Sequence, residues 1–306
     1  MREISIPAAL RYIEQVARSG SIQQASRTLH IAASAIDRHI REMEDDLGVP
    51  LFERHPRGMT ITAAGECLVA MVRKWRSDSR NAFSEIQQLR GVEQGTVRIG
   101  CMDSHANGII AAVVLALNAG HPGISLDVEV ASTDDVVRML LEGDVDIGVA
   151  FNAPARRELH VIHAHELPFG CVVAPSHPLA KQKSTTLQQC GKYPLALQSG
   201  ALVIGRMLNE DYGWLVGRES RPVITNSIQL IKTLARSGGY AAFLTQIDAA
   251  PEIQAGELVF VKVRDALAAP ETLSVLADAR RSLPRISRLV AAAVDEQIRQ
   301  AALRVA

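Results

Sequence analysis

The sequence predicts an α+β protein with more than one domain. Apolar residues recur at helical spacing through residues 1–62, one long helical segment follows, and strands alternate with helices from residue 96. A chain of 306 residues is long enough for about two domains, each with its own core. An apolar fraction of 47% and a charged fraction of 22% are ordinary for a globular protein.

Export and membrane insertion find no support in the sequence. The longest apolar run, residues 109–117, is much shorter than the ~18 residues of a membrane span and is interpreted as a buried helix. The opening MREISIPAAL lacks the basic and apolar stretches of a signal peptide. We therefore expect a cytoplasmic protein without a membrane partner.

The cysteines predict neither a metal site nor a disulfide framework. Cys67, Cys101, Cys171 and Cys190 include no CxxC spacing and no Cys/His cluster. Reduced and mostly buried thiols are expected, with no metal and no cofactor. A redox switch that uses Cys171 and Cys190 stays open as an alternative.

Three short helices are predicted at the start of the chain. The second begins at Ser21, whose hydroxyl can cap the helix, with Gln24 three residues later. Only residues 30–33 separate the second helix from the third, so the two must cross sharply. Their apolar stripes are Ile6, Leu10, Ile13 and Ala17, then Ile22, Ala25 and Leu29, then Ile36, Ile40, Met43 and Leu47.

The third helix carries a polar strip on its other side. Ser34, Asp37, Arg38 and Arg41 follow the i, i+3, i+4, i+7 pattern and share one face. Taken alone, such a strip is most simply a solvated helix face.

A small wing is predicted beside that helix. Residues 51–54 and 59–62 form two short strands joined by the turn-forming run HPRG. The wing would carry Arg54 and Arg57. Arginines on both sides of one exposed helix suit the phosphates that flank a DNA major groove.

These residues resemble the DNA-binding domain of LysR-type transcriptional regulators. The resemblance is carried by residues 21–29, Ile36, Arg38, Ile40, Glu44, LGVPLFER (47–54) and TAAG (62–65), over about sixty residues without a gap. It implies a winged helix-turn-helix at 22–41, with the third helix in the major groove and the wing on the backbone.

Two departures from the family pattern affect the third helix. Ala32, Ala33 and Ser34 stand where the family usually has Ser-Gln-Pro, so a helix cap worth ~1 kcal/mol is lost unless Ser34 caps one turn later. Asp37 replaces a usual serine and either accepts from a cytosine amino group or points away from DNA. The residues expected at DNA are Ser21, Ala33, Ser34, Asp37, Arg38, Arg41, Arg54 and Arg57.

A long helix is predicted after the wing, from Thr62 to about residue 90. Its apolar positions step four and three for about three heptads, which is typical of a coiled seam. The alternative is a helix that packs on its own domain. Because the family uses its linker helix for dimerisation, we expect a homodimer or homotetramer through Leu68, Val72, Trp75, Ala82, Ile86 and Leu89.

The remaining two-thirds of the chain alternate between strands and helices. Segments 96–100, 125–130 and 146–150 read as strands, and 107–119 and 134–142 as helices. A second set follows at 169–174, 187–190, 195–198, 203–208, 223–225, 228–236 and 240–244. This alternation predicts parallel sheets with helices on both faces.

This region resembles the LysR-type effector domain, which has a periplasmic-binding-protein-like fold. VRIG (97–100), PGISLDVEV (122–130), GDVDIGVAF (143–151) and APSHPLA (174–180) carry the resemblance. It implies a DNA-binding domain at 1–62, a linker and hinge at 63–95, and a two-lobed effector domain at 96–306. Lobe I would take 96–166 with 268–300, and lobe II 167–267.

A small ligand is expected in the cleft between the lobes, outside the carboxyl ends of the strands. Helix starts there favour an anion. For each residue alone, a helix-capping role is the simpler reading. The candidates are Met102, Asp103, Ser104, His105, Ser132, Thr133, Phe151, Asn152, Gln198, Ser199, Thr225, Asn226 and Phe243. A charged His105 would favour an anionic group and Asp103 would oppose it, so a polar or zwitterionic effector is as plausible as an aromatic acid.

The sequence thus predicts a transcriptional regulator that binds a double-stranded DNA operator and is switched by a small polar or anionic metabolite. RNA polymerase is a further expected partner. The alternatives are a redox- or ligand-sensing protein without specific operator binding, and an enzyme. No Gly-rich phosphate loop, GxSxG or HExxH motif supports the enzyme.

Overall fold

The computed structural model describes residues 7–56, 58–89, 94–199, 222–265 and 270–305. Predictions that fall on Ile6, Arg57 and residues 203–208 lie outside these ranges. The chain divides into two compact units, the first of residues up to 90 and the second of nearly all the residues after it.

The first unit begins with the three predicted helices. They are α1 (Ala8–Ser19), α2 (Ile22–Leu29) and α3 (Ala33–Leu47). Their apolar stripes meet in one core, in which Ile13, Ala25, Ile36 and Ile40 are fully buried. Gly20 and Gly48 end α1 and α3 in the left-handed conformation that glycine adopts without strain.

The wing is an antiparallel pair, β1 (Phe52–His55) and β2 (Gly58–Ile61). Glu44 of α3 fixes its base, because one carboxylate oxygen accepts the backbone N–H groups of Leu51 and Phe52 at 2.7 and 3.1 Å. Gly65 lies so close to the Leu51 carbonyl oxygen that any side chain there would collide with it. The wing is therefore held against the helices rather than free.

The long helix α4 (Ala63–Leu89) follows directly. Thr62 caps it as predicted, since its hydroxyl accepts the N–H of Gly65 at 3.1 Å. The first turns of α4 pack on their own unit: Val72 is fully buried against Leu10 of α1.

Lobe I of the second unit is a five-stranded sheet in the order β4-β3-β5-β13-β6. Its core lies between the sheet and helices α6 and α11. The strands are β3 (Gly95–Cys101), β4 (Ile124–Val130), β5 (Ile147–Phe151), β6 (Leu159–Leu167) and β13 (Glu271–Asp278). The helices are the single turn α5 (Asp103–His105), a π-helix (Ala106–Ile110), α6 (Ala111–Gly120), α7 (Thr133–Glu142) and α11 (Arg285–Val305).

Lobe II is a six-stranded sheet in the order β10-β9-β11-β7-β12-β8. The strands are β7 (Phe169–Val173), β8 (Ser184–Thr185), β9 (Leu195–Gln198), β10 (Val223–Thr225), β11 (Ala241–Thr245) and β12 (Val259–Val263). The helices are a 3₁₀ turn (Pro178–Lys181), α8 (Leu187–Cys190), α9 (Ile228–Arg236) and α10 (Ala250–Gln254).

The prediction of parallel sheets is confirmed for some of the strand pairs in each sheet, such as β3 with β4 and β9 with β10, and is wrong for the others. In lobe I, β13 runs antiparallel to both β5 and β6, and in lobe II β7 runs antiparallel to β11 and β12. The chain leaves lobe I along β6 and returns along β13. A strand next to a crossing between the lobes can run opposite to its neighbours in the sheet. The alternation of strands and helices in the sequence does not show where the chain crosses.

In the part of the chain that the structure describes, no helix is both long and apolar enough to span a membrane. The same residues contain no group of three or more His, Cys, Asp or Glu side chains arranged to hold a metal ion.

Candidate functional site

The start of α3 lacks a side-chain cap. Ala32 occupies the N-cap position and makes no capping hydrogen bond, while Ser34 lies inside the first turn with its side chain exposed. Ser34 therefore does not replace the lost cap. The backbone N–H groups of this turn remain available to an anion outside the protein.

Asp37 links the polar strip of α3 to the wing. Its carboxylate lies 3.1 Å from Nε of Arg41, one turn later, and 2.8 Å from Nη1 of Arg54 on β1. Burial opposes ionisation of Asp37, yet hydrogen bonds and charge from Arg54 and Arg41 lower its pKa below the usual value. The carboxylate therefore stays charged and holds two arginines side by side.

The other strip residues point outward. The side chain of Arg38 is 67% exposed and its Nε lies 3.6 Å from Glu42, a distance typical of a weak surface ion pair. Ser34 is exposed and Ala33 is half-buried. Strip and wing together present Ser34, Arg38, Arg41 and Arg54 to the same surroundings.

Ser21 has a structural task. It caps α2, and its hydroxyl accepts the N–H of Gln24 at 3.4 Å. Its predicted contact with DNA would have to be made in addition to this cap.

The predicted seam of α4 divides into two parts. Val72 is fully buried and Leu68 partly buried within the first unit, so these two positions pack on their own domain, the alternative considered above. Further along, Trp75 and Ile86 are 42% and 52% exposed, and Ala82 is exposed too. The expectation of a dimer seam is therefore wrong for Val72 and stays a prediction for the exposed positions.

His105 and Phe151 do not line an open mouth in lobe I. Both are buried, and their rings pack with centroids 5.0 Å apart. Burial lowers the pKa of His105, although the charge of Asp248 opposes the shift. The expectation that His105 becomes charged and favours an anion is therefore contradicted, because a buried imidazole stays neutral.

The polar residues that follow the strands of lobe I serve the fold. The hydroxyl of Ser132 accepts the N–H of Asp135, and the hydroxyl of Thr133 donates to the Phe151 carbonyl at 3.2 Å. The side chain of Asn152 accepts the N–H of Thr272 at 2.9 Å. Met102 and Ser104 are buried, and Asp103 is half-buried.

In lobe II, Phe243 was misassigned as an effector contact. It is 1% exposed and stacks on Phe169 in the core, with ring centroids 5.6 Å apart. A residue in a β-strand faces either the core or the other side of the sheet, and nothing in FLT (243–245) distinguishes the two.

The remaining lobe II candidates lie together. Gln198 and Thr225 are paired at the ends of the parallel strands β9 and β10, and the N–H of Ser199 donates to the Thr225 carbonyl at 2.9 Å. Asn226 is exposed beside them. Gln198 is buried, and the hydroxyl of Thr225 accepts the N–H of Ser227 at 3.1 Å. Ser199 and Asn226 are therefore the more accessible side chains at this strand end, where a ligand of an α/β sheet binds.

A groove of about 750 Å³ lies on lobe I next to Asn152. Its floor is formed by β6 and β13, and its rim by the loop that carries Arg156 and Arg157. Two guanidinium groups at the rim make an anionic group the ligand chemistry that this groove favours.

The cysteines mostly follow expectation. Cys67 is exposed, whereas Cys101, Cys171 and Cys190 are buried. A hydrogen bond from Cys171 to Cys190 raises the pKa of Cys171, to which burial adds, and lowers the pKa of Cys190. Because both thiols are shielded from solvent, they pack as small hydrophobic side chains, and their redox role stays a prediction.

Family models match both parts of the chain. The model described as "Bacterial regulatory helix-turn-helix protein, lysR family" matches residues 7–66, and the "LysR substrate binding domain" model matches residues 90–299. The chain belongs to the LysR family. Its predicted fold class, a winged helix-turn-helix followed by an α/β effector domain, is confirmed.

Curated relatives of this LysR-family protein are regulators of gene expression. It is 28% identical to the HTH-type transcriptional regulator CysB of Haemophilus influenzae, over 61% of this chain and 58% of that protein. It is 28% identical to a probable nitrogen assimilation transcriptional activator of Synechococcus elongatus, over 80% and 79% of the two chains. With CbbR of Rhodospirillum rubrum it shares 27% identity, over 83% and 84%.

Solved structures show the same fold over the whole chain. A full-length OxyR variant from Pseudomonas aeruginosa superposes with a TM-score of 0.70 at 18% identity, covering 96% of this chain and 95% of that one. Full-length CbnR in complex with its target DNA superposes with a TM-score of 0.59 at 17% identity, covering 96% and 99%. The protein is accordingly a LysR-type, ligand-responsive DNA-binding transcriptional regulator.

Proposed function

We propose that this regulator binds a two-fold operator by placing α3 of two copies in successive major grooves. The observation that carries the proposal is the outward strip of Ser34, Arg38 and Arg41 beside Arg54, which Asp37 ties to α3 at 2.8 Å. A helix flanked by arginines on one face reads bases while the flanking charges hold phosphates.

The proposal gives these residues different tasks. Arg38, exposed and only weakly paired, reads a base edge, and Ala33 offers a methyl group to a thymine methyl. Arg41 and Arg54 contact phosphates from positions that Asp37 fixes, so Asp37 acts on DNA through its two partners. The uncapped first turn of α3 adds backbone N–H groups to the same surface.

Self-association through α4 supplies the second recognition helix. Met71, Trp75, Ala82 and Ile86 lie on one side of α4 at helical spacing and are all exposed. A stripe with a tryptophan and an isoleucine in water is unfavourable, and pairing with a second copy would bury it.

The second unit also has exposed large apolar side chains. They are Leu115 of α6 and Val130 of β4 on lobe I, and Ile224 of β10 and Leu230 of α9 on lobe II. We propose that some of them belong to a second self-association surface. Two separate self-association surfaces, one in each unit, are what a homotetramer requires, whereas a homodimer requires one.

The effector in this proposal is a small polar or anionic metabolite held between the lobes, and the switch requires no metal or other cofactor. Support comes from Gln198, Ser199, Thr225 and Asn226 at the ends of β9 and β10. A ligand that prefers one disposition of the lobes shifts the population of that disposition, and through the oligomer it changes how α3 meets DNA. In the cytoplasm, RNA polymerase bound at the promoter would respond to the changed contact between α3 and DNA.

We propose that the protein is not an enzyme. The two family models and the relatives named as transcriptional regulators support this. The alternative of a sensor without specific operator binding is separated from the main proposal by the next experiment.

The test is to incubate the purified full chain with fragmented DNA from its own genome at near-physiological salt and to sequence the retained fragments. The proposal predicts a few strongly enriched sites with two-fold symmetry. Weak, even retention across the genome that disappears with added salt would contradict it and favour the sensor without specific operator binding.

A further inference from the structure

Three ionisable side chains from separate elements meet in the interior where the lobes join. His105 comes from α5 of lobe I, Asp248 from the turn after β11 of lobe II, and Glu271 from the first position of β13, the strand that returns to lobe I. They are 0%, 2% and 3% exposed. Ile247, next to Asp248, packs in the same core as Phe151, which contacts His105, and as Leu167, which pairs with Glu271 across β6 and β13. The three side chains therefore lie in one buried region, in which the charge of Asp248 acts on both of the others.

The segment that carries Asp248 is a bridge between the lobes. Ile247 is buried in the core of lobe I, although it follows a strand of lobe II. Gln246 donates to the Ala302 carbonyl of α11 at 3.4 Å, and a side chain at Gly108 would meet Pro251 at 3.6 Å. Residues 246–251 therefore hold lobe II against α5, the π-helix and α11.

The cluster is not fully satisfied. Asp248 accepts the N–H and the hydroxyl of Thr245, each at 2.9 Å, through one oxygen, and its other oxygen is unpartnered. One oxygen of Glu271 and both ring nitrogens of His105 have no well-formed hydrogen bond in the described residues, although the Val149 carbonyl faces the imidazole. Buried polar atoms without partners are rare and reduce stability. Because the cost is larger for a charged group, the protonation state of these side chains determines how stable the docked arrangement is.

We propose that His105, Asp248 and Glu271 form a proton-linked latch, in which the bridge of residues 246–251 stays docked on lobe I while Glu271 carries a proton and is released more often once that proton is lost. A neutral Glu271 carboxyl does not repel the Asp248 carboxylate. Two carboxylates in the same dry site repel each other, and moving the bridge away admits water to both.

Charged groups on the neighbouring elements α9, α10, β6 and α11 form ion pairs with each other. Lys232 of α9 lies 2.7 Å from Glu252 of α10 and donates to the Asp248 backbone carbonyl at 3.4 Å. On the β6 side, His165 lies 2.7 Å from Asp295 of α11. Burial, and then the charge of Asp248, raise the pKa of Glu271 to about 8, which is consistent with no cation neutralising it.

The sign of the pH effect follows from the two groups that titrate. Glu271 has a pKa of about 8 when docked and an ordinary value of 4.5, so release becomes about tenfold more populated per pH unit between these limits. His105 has a docked pKa below its ordinary 6.5, so its effect is confined to lower pH and has the opposite sign. The population of the released bridge is therefore expected to change with pH between about 6.5 and 8.

The latch would make the regulator sensitive to pH as well as to its effector. Both would act where the two lobes join. That consequence rests on the proposed effector switch, whereas the latch itself does not. Its test therefore uses neither effector nor DNA.

The experiment is peptide-level hydrogen–deuterium exchange of the full chain from pH 5.5 to 9, corrected for the intrinsic rate at each pH. We expect protection of residues 103–110 and 245–254 to fall about tenfold per pH unit from 6.5 to 8 and then level off. In Glu271→Gln, whose amide copies the neutral carboxyl, protection should stay constant above pH 6.5. Glu166→Gln, an exposed change on β6, should behave as the parent chain.

A second variant tests the role of Asp248. Asp248→Asn removes the neighbouring charge, so the protection should level off at a lower pH than in the parent chain. An unchanged pH profile in Glu271→Gln would overturn the latch. So would constant protection in the parent chain up to pH 9, or an equal loss in the α1–α3 peptides, which would signify general unfolding.

Discussion

Asp37 of α3 and Arg54 of the wing lie 2.8 Å apart, and this ion pair fixes the distance between the recognition helix and the wing. The same carboxylate holds Arg41 at 3.1 Å. The negative charge of Asp37 repels DNA phosphates. Asp37 therefore contributes to DNA binding by holding Arg41 and Arg54 in position.

Replacement of Asp37 with Asn is expected to separate affinity from selectivity. The variant removes a charge that repels phosphate and loosens Arg41 and Arg54, so retention of bulk genomic DNA should rise while enrichment of specific sites falls. Stability should change by no more than ~1 kcal/mol, because the pair is partly exposed. The measurement is the ratio of enriched to bulk fragments, with Asp46→Asn, an exposed change at the far end of α3, as the control. An equal effect in both variants would show that only net charge matters.

Glu44→Ala tests the base of the wing. The carboxylate accepts two backbone N–H groups, and its loss leaves both without that partner, so we expect a loss of about 2 kcal/mol in the free energy of unfolding. Denaturant unfolding of the full chain measures this. Asp45→Ala, at an exposed neighbouring position, should change stability by less than ~0.5 kcal/mol. Similar values for the two variants would contradict the anchoring role of Glu44.

The exposed stripe of α4 predicts a change of oligomeric state. With Trp75→Glu and Ile86→Glu combined, the buried interface would have to hold charged groups, so the molar mass by light scattering should fall by half or more. Glu66→Gln, an exposed change in the first turn of the same helix, should keep the parent mass. A double variant with unchanged mass would exclude α4 from the assembly.

Much of the DNA-binding unit could be predicted from the sequence because its local patterns agree with its packing. Local sequence patterns predict the apolar stripes that contain Ile13 and Ile36, the cap at Ser21 and the two wing strands. Glu44 was recognised only as part of a motif, since its task depends on two N–H groups that the fold brings to it.

The effector domain was less predictable for a physical reason. Polar and aromatic residues after a strand can turn inward or outward with the same local sequence, and His105 and Phe243 turned inward. Nothing in the sequence distinguishes Asp248 and Glu271 from ordinary surface residues, because a single carboxylate near a strand end is usually solvated. Their burial becomes visible only when the crossing of β13 and the bridge after β11 are known.

Arg38 is the residue at which docking of α3 in the major groove can be measured with the fewest side effects. Arg38→Ala and Arg11→Ala remove the same charge from the same unit, one from the outward strip of α3 and the other from the exposed side of α1. Genomic fragments retained by each variant are sequenced at one salt concentration. We expect Arg38→Ala to lose the enriched two-fold sites, with a cost of about 1–3 kcal/mol per site, and Arg11→Ala to keep them. Equal enrichment by Arg38→Ala and the parent chain would contradict the docking of α3 in the major groove.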